Sequence, residues 1–272
     1  MPDDPQKPSS GPLKKIAGII SERINVQRAL SVAGKRQQLM LPKAPEVPGY
    51  EFASVYRPAE HVSGDFCDIV ELGEGRYGLL IGDVSGHGME AGIVMGAARK
   101  ALQLFARTGE SAATVLSWGN EDLGRELDRE TFLTAAYSIL DTAAHALCYV
   151  RAGHTHPLLM GPLAGQWQVI KSGGMMIGST LGDRFAKSLA EVRLELQPGQ
   201  CFIQYTDGLV EAKERGGDEF GTDRVIGHFD KAAGTEQPLA AVLDALVAEL
   251  AAWTGGAAQE DDISILAVKR QA

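Results

Sequence analysis

Four stretches of this chain set an aspartate where an apolar run meets a glycine-marked turn. Leu79-Leu80-Ile81-Gly82-Asp83 runs into Val84-Ser85-Gly86-His87-Gly88, and Phe202-Ile203-Gln204-Tyr205-Thr206 ends on Asp207-Gly208. Asp261-Asp262 opens Ile263-Ser264-Ile265-Leu266-Ala267-Val268, and Gly64-Asp65-Phe66-Cys67-Asp68 follows the same plan. Each has an ordinary explanation alone: Asp83 or Ser85 as a helix cap, Asp207-Gly208 as a hairpin turn, Asp261-Asp262 as a solvated strand start. What those explanations leave out is the recurrence. Carboxylates at the tips of buried strands converge, and two bare ones ~4 Å apart repel by about 4 kcal/mol at an effective dielectric near 20. A divalent cation relieves that repulsion, and an all-oxygen donor set without a Cys/His group favours Mg²⁺ or Mn²⁺ over zinc.

The other bulk properties narrow the options. The 272 residues carry 26 basic and 35 acidic side chains, a formal charge of -9, with no Lys/Arg-rich run, so nucleic acid is not an expected substrate. Cys67, Cys148 and Cys201 are scattered and odd in number, which fits a reduced, cytoplasmic setting better than a disulfide framework or a zinc site. No apolar stretch approaches the ~20 residues that span a bilayer, so no membrane insertion is expected.

Residues 1–13, with Pro2, Pro5, Pro8 and Pro12 among polar neighbours, read as a disordered tip. A helical extension occupies 14–45, its pattern set by Ile16, Ile19, Ile20 and Ile24 and closed by Pro42; such a helix either struts its own domain or pairs with another subunit as a homodimer. The main domain is 46–272. Its β-like runs fall at 50–56, 66–72, 77–82, 133–140, 145–151, 157–160, 166–170, 190–196, 201–206 and 263–268. Helices are expected over 88–107, with Ile93, Ala97, Ala101 and Phe105 on the core face, over 111–127, and after Pro238. Hairpin-linked strands with helices in blocks argue for an α+β fold.

Read in order, Tyr56-Arg57-Pro58-Ala59, Val62-Ser63-Gly64-Asp65-Phe66, Ile81 through Gly88, Phe132-Leu133-Thr134, Ala152-Gly153-His154, Tyr205 through Ala212, Phe220-Gly221 and Asp261-Asp262 resemble the motifs of the metal-dependent protein phosphatases of the 2C type. They are most similar to the bacterial branch of stage II sporulation protein E and RsbU-like phosphatases, and Gln37 with Met40-Leu41-Pro42 looks like that branch's lead-in helix ending. The resemblance covers about residues 38–269. It implies a two-sheet antiparallel β-sandwich flanked by helices, with two Mn²⁺ or Mg²⁺ ions at one end. By motif, Asp83 would bridge both ions, the Val84 carbonyl would bind one, Asp207 and Asp261 would be further ligands, and Asp65 would lie in or next to the ligand shell. Asp262 and Asp68 are weaker candidates. The implied activity is a protein serine/threonine phosphatase using a metal-activated water, and the implied substrates are phosphorylated anti-anti-sigma (STAS-domain) proteins of partner-switching pathways. Ser63, Cys67, Ala136, Thr155-His156 and Met176 depart from the usual pattern without removing an expected carboxylate.

Around that set, His87 is a candidate proton donor or ordering group, His154 reads better as a structural histidine, and Arg57 could bind the substrate phosphate. Ser85 lacks the elbow pattern and triad of a serine nucleophile. The competing reading is a catalytically silent binding module of the same fold that holds a partner.

Overall fold

The computed structural model describes residues 11–128, 130–178 and 183–272, with side chains from residue 20 onward; the tip expected over 1–13 lies outside the described residues up to position 10. Among the described residues, ten strands form two five-stranded antiparallel sheets. One has the order β1 (Tyr50–Arg57), β10 (Ile263–Arg270), β9 (Cys201–Tyr205), β6 (Leu158–Met160), β7 (Trp167–Val169). The other runs β2 (Asp65–Gly73), β3 (Arg76–Val84), β4 (Leu133–Asp141), β5 (Ala146–Ala152), β8 (Val192–Glu195). Tight turns account for this antiparallel plan; Gly73, Glu74 and Gly75, all at positive φ, close the β2–β3 hairpin. The α+β reading and the strand positions agree with the expectation to within a few residues.

Period-two alternation builds three cores from these two sheets. Along β9, Phe202 faces the opposite sheet, while Cys201, Ile203 and Tyr205 face outward onto α5 (Gly221–Ala232) and α6 (Leu239–Trp253). Along β3, Leu79 and Ile81 face inward and Leu80 faces α2 (Gly88–Ala106) and α3 (Ala112–Leu123). The order from face to face is helices, sheet, sheet, helices. One polar pair crosses the inner core, Ser138 Oγ donating to Gln204 Oε1 at 3.1 Å, so neither hydroxyl nor amide oxygen is stranded there.

Three helical expectations need correction. The buried face of α2 is Ala91, Met95, Ala98, Leu102 and Ala106, whereas Ile93 is 68% exposed and Ala97 is exposed. Small residues at 91 and 98 let the helix lie close to β2 and β3, and that close approach, rather than the bulk of Ile93, selects the face. The second helix stops at Leu123, four residues short of the expected end, with Gly124 as its C-cap. Two helices had no sequence expectation, α4 (Asp183–Ser188) and α5, the latter burying Val225, Ile226 and Phe229.

Helix α1 (Gly11–Gln38) leaves Ile20, Ile24 and Val32 exposed and meets the rest of the protein along its C-terminal half, at Gln27, Gly34 and Gln37. Its end is held beside α2, where Arg99 Nη2 reaches the Met40 carbonyl at 2.5 Å and Asp68 Oδ2 at 2.9 Å. Gln103 Nε2 donates to the same Asp68 oxygen at 2.9 Å. Asp68 is therefore a structural pin between β2 and α2, with its carboxyl nearly buried. No helix among the described residues is long and apolar enough to cross a membrane.

Breaking that pin on one side strands a buried charge. Asp68→Ala is expected to lower unfolding free energy by about 3–5 kcal/mol in a denaturant titration, with Asp68→Leu/Arg99→Leu recovering most of the loss. A single variant within about 0.5 kcal/mol of the parent would contradict this role for Asp68.

Candidate metal centre

The same alternation that builds the inner core delivers the acidic side chains to one place. Asp65 shares the inward parity of Cys67 and Ile69, and Asp83 shares that of Leu79 and Ile81. The two are direct partners in the β2–β3 ladder, so their carboxyls sit side by side at the sandwich's end. From the other sheet Thr206, in phase with Phe202 and Gln204, donates Oγ1–H to Asp65 Oδ2 at 2.7 Å. That bond spans the gap between the sheets. Asp65 is 1% exposed.

Asp207 begins a single 3-10 turn, Asp207–Leu209, directly after β9. A Cβ on Gly208 would lie 2.0 Å from the Asp262 carbonyl oxygen, so only glycine lets this turn close against the start of β10. Closure is what brings Asp207 next to Asp261. Asp262 faces the opposite way from a ligand: Oδ1 accepts from Ala59 N at 2.7 Å and Oδ2 from Gly64 N at 2.9 Å, binding the 59–64 segment to β10. Gln259 Nε2 donates to the carbonyls of Arg57 and Asp261, each at 2.7 Å, and fixes the approach to β10.

Crowding shows in the proton affinities. Burial pushes the Asp83 carboxyl up to about 7, and Asp207, Asp261 and Asp262 push it the same way, against the hydrogen bond with Asp65. Burial first, then Asp83 and Asp262, raise Asp65 well above the carboxylate range, with the Thr206 hydroxyl opposing. Asp261 is raised by burial and by Asp207 and Asp262. Nothing basic among the described residues neutralises this group from within, so it holds protons or a cation.

Oxygen-only donors, among which Asp65 and Asp83 are reluctant to ionise without a counter-charge, suit a hard divalent cation. Among the described residues no three His, Cys, Asp or Glu side chains stand posed as a finished ligand set. The fit is therefore one of chemistry and placement. Val84 lies at the end of β3 beside Asp83, its backbone carbonyl 2.9 Å from where a Cβ on Gly64 would stand.

Beside the group, on the side of Asp261, opens a hollow of about 320 Å³ lined by Gly86, His87, Gly208, Glu211, Lys213 and Asp261 among others. A second, of about 270 Å³, adjoins it and is lined by Glu60, His87, Asp261 and Asp262 among others. His87 lines both, is largely exposed, and holds Nδ1 3.5 Å from Glu60 Oε1. Arg57 is absent from both linings; its Nη1 donates to the Tyr56 carbonyl at 3.2 Å. Lys213, which sequence reasoning overlooked although it follows directly on the Thr206-to-Ala212 motif, is the one lysine or arginine lining the larger hollow. His154 is buried with Nδ1 2.9 Å from Thr134 Oγ1, and burial with Arg151 pushes it down to about 3, so it carries no proton to give near neutral pH. Ser85 Oγ accepts from Phe132 N at 3.0 Å and serves the β3–α2 turn.

Because Asp83 and Asp65 are raised when folded, their stabilising contribution is complete below the unfolded carboxylate range and is lost as pH rises above it, for Asp83 through about 7. The melting temperature of metal-free protein is expected to fall between pH 5 and pH 8, with Asp83→Asn flattening the fall and Mn²⁺ at pH 8 reversing it. A metal-free melting temperature that rises across that window would contradict the crowding.

With this geometry in view, the relatives are informative. The sequence pattern of the stage II sporulation protein E (SpoIIE) family matches residues 73–271. The phosphoserine phosphatase RsbP of Bacillus subtilis is 27% identical over 197 residues, 70% of this chain and 47% of RsbP. The structure of the RsbU and RsbW domains of Rv1364c from Mycobacterium tuberculosis superposes with TM-score 0.70 at 27% identity, over 84% of this chain and 62% of that one. The SiaA-PP2C domain of Pseudomonas aeruginosa does so with TM-score 0.71 at 24% identity, over 96% and 99%. The chain spans about half the length of the curated relatives it matches, between 40% and 56%. The two antiparallel sheets with flanking helices are those of PP2C-like phosphatases, and the chain belongs to the stage II sporulation protein E (SpoIIE) family.

Proposed function

We propose that this chain is a Mn²⁺- or Mg²⁺-dependent protein serine/threonine phosphatase that hydrolyses a phosphomonoester on a small regulatory partner. The observation that carries the reading is the convergence of Asp65, Asp83, Asp207 and Asp261 from both sheets next to an open hollow that Asp261 lines, with proton affinities raised at Asp65, Asp83 and Asp261 that a cation would relieve. Family membership and the phosphoserine phosphatase name carried by RsbP support the activity. In this reading Asp83, Asp207 and Asp261, with the Val84 carbonyl and Asp65, would hold two cations, which when bound would acidify a water and neutralise charge on the phosphoryl oxygens.

The chain's own residues then do the positioning. The β2–β3 ladder and the Thr206 hydroxyl fix the Asp65–Asp83 pair, and Gly208 keeps Asp207 against Asp261. His87 at the hollow's rim is the proposed proton donor to the leaving serine or threonine oxygen, with Glu60 orienting its ring. For the phosphate, Arg57 at the end of β1 and Lys213 on the hollow's wall are the proposed cationic contacts. The proposed partner is a phosphorylated STAS-domain, anti-anti-sigma-type protein; the pairing of RsbU and RsbW domains in the Mycobacterium tuberculosis structure supports a partner-switching setting. The exposed Ile20, Ile24 and Val32 of α1 support a homodimer paired through that helix.

Asp83→Asn is expected to lower Mn²⁺-dependent phosphate release from a phosphorylated STAS protein on the order of a hundredfold or more, with the fold intact by circular dichroism. Retention of full activity would remove Asp83 from the centre. Removing a charge-assisted phosphate contact is expected to raise KM about tenfold or more with kcat nearly unchanged. Steady-state comparison of Arg57→Ala and Lys213→Ala decides which of the two makes that contact, and unchanged KM in both would exclude both.

A further inference from the structure

One buried segment next to the acidic group owes its position to a residue outside the sandwich. Residues 59–64 lead directly into Asp65, and of these Ser63 is fully buried and belongs to no strand. A buried backbone N–H and C=O with no ladder partner cost on the order of 1–3 kcal/mol each if left unpaired. Here both are paired by one side chain. Gln37, in the last turn of α1 and 9% exposed, donates Nε2–H to the Ser63 carbonyl at 3.1 Å and accepts from Ser63 N on Oε1 at 3.0 Å. The amide thus acts as a one-residue strand. Tyr56 donates its hydroxyl to the same Oε1 at 3.4 Å, and the Ser63 Oγ accepts from Asp65 N at 3.0 Å.

The packing around this contact leaves no slack. A Cβ at Gly34 of α1 would stand 1.7 Å from the His61 carbonyl oxygen, and one at Gly92 of α2 would stand 2.1 Å from Val62 Cγ1 and 3.0 Å from Gln37 Nε2. Asp262 holds the two ends of the segment, at Ala59 and Gly64. The segment is therefore gripped by α1, α2 and the start of β10 together, and its Ser63 hydroxyl accepts a hydrogen bond from the Asp65 backbone N–H.

We propose that Gln37 is a positioning residue for the metal centre: through Ser63 it sets the backbone of Asp65, and with it the readiness of the acidic group to take up a divalent cation. The inference rests on the metal reading given above and adds to it a residue on α1, 28 positions before the carboxylate it serves. Losing a contact of this kind next to a ligand shell weakens metal affinity about 10–100-fold. A residue that merely stabilised the fold would lower the melting temperature and leave the affinity of the folded protein alone.

Calorimetric titration of the full chain with Mn²⁺ separates these cases. Gln37→Met keeps the volume and removes both hydrogen bonds; Gln37→Glu keeps the acceptor for Ser63 N and sets an oxygen against the Ser63 carbonyl. Both are expected to weaken Mn²⁺ binding about tenfold or more, with phosphatase kcat approaching the parent value at saturating Mn²⁺. Lys35→Ala, exposed in the same last turn of α1, is expected to bind like the parent. Parent-like Mn²⁺ affinity in whichever Gln37 variant folds, beside normal binding by the parent, overturns the inference alone. A parent chain that takes up no Mn²⁺ overturns the metal reading and this inference with it.

Discussion

Mutual repulsion among clustered carboxylates is the constraint to which the rest of this structure answers. Asp65 and Asp83 lie opposite each other in one ladder, and Asp207 and Asp261 close on them from the other sheet. In a fold stabilised by burial alone such a group would be selected against, since each carboxyl lifts the proton affinity of its neighbours and takes stability away as they ionise. Its cost is local, and its supports are spread over the molecule. The inter-sheet Thr206–Asp65 bond, the Gly208–Asp262 contact and the Asp262 clamp on residues 59–64 all hold anions near anions. Supports of that kind make sense around a cation.

Division of labour among the aspartates follows from where each backbone points. Asp65 and Asp83, on inward strand positions, and Asp207 and Asp261, in the turns that meet them at the sandwich's open end, are available to a ligand. Asp262 has both oxygens occupied by backbone N–H groups, and Asp68 is spent on Arg99 and Gln103. Identical side chains a few residues apart thus do different work, one set chemical and one set architectural.

Much of this was legible before any coordinates. Strand parity was readable because residues such as Leu79, Ile81 and Asp83 lie two apart, and a buried strand fixes which of them share a face. Positions of the acidic residues at strand ends followed directly. The face of α2 was misread because bulk at Ile93 drew attention from the small residues Ala91 and Ala98, whose value lies in allowing close approach, a property of the neighbour as much as of the helix. Helix α5 was overlooked because it starts on Gly221 and shows its apolar face only at Val225, Ile226 and Phe229. The contact between Gln37 and Ser63 depends on two segments meeting in space, which the residues around neither of them disclose. Arg57, singled out by its motif, turns Nη1 back on the main chain, a rotamer choice that sequence does not encode.

The most direct test of the central claim is anomalous diffraction at the manganese edge from crystals grown with Mn²⁺. The account predicts two Mn²⁺ peaks between the sheets at the sandwich's open end, within ligand distance of Asp83, Asp207 and Asp261. Maps with those three carboxylates ordered and no manganese among them, or with manganese bound elsewhere on the surface, would contradict it.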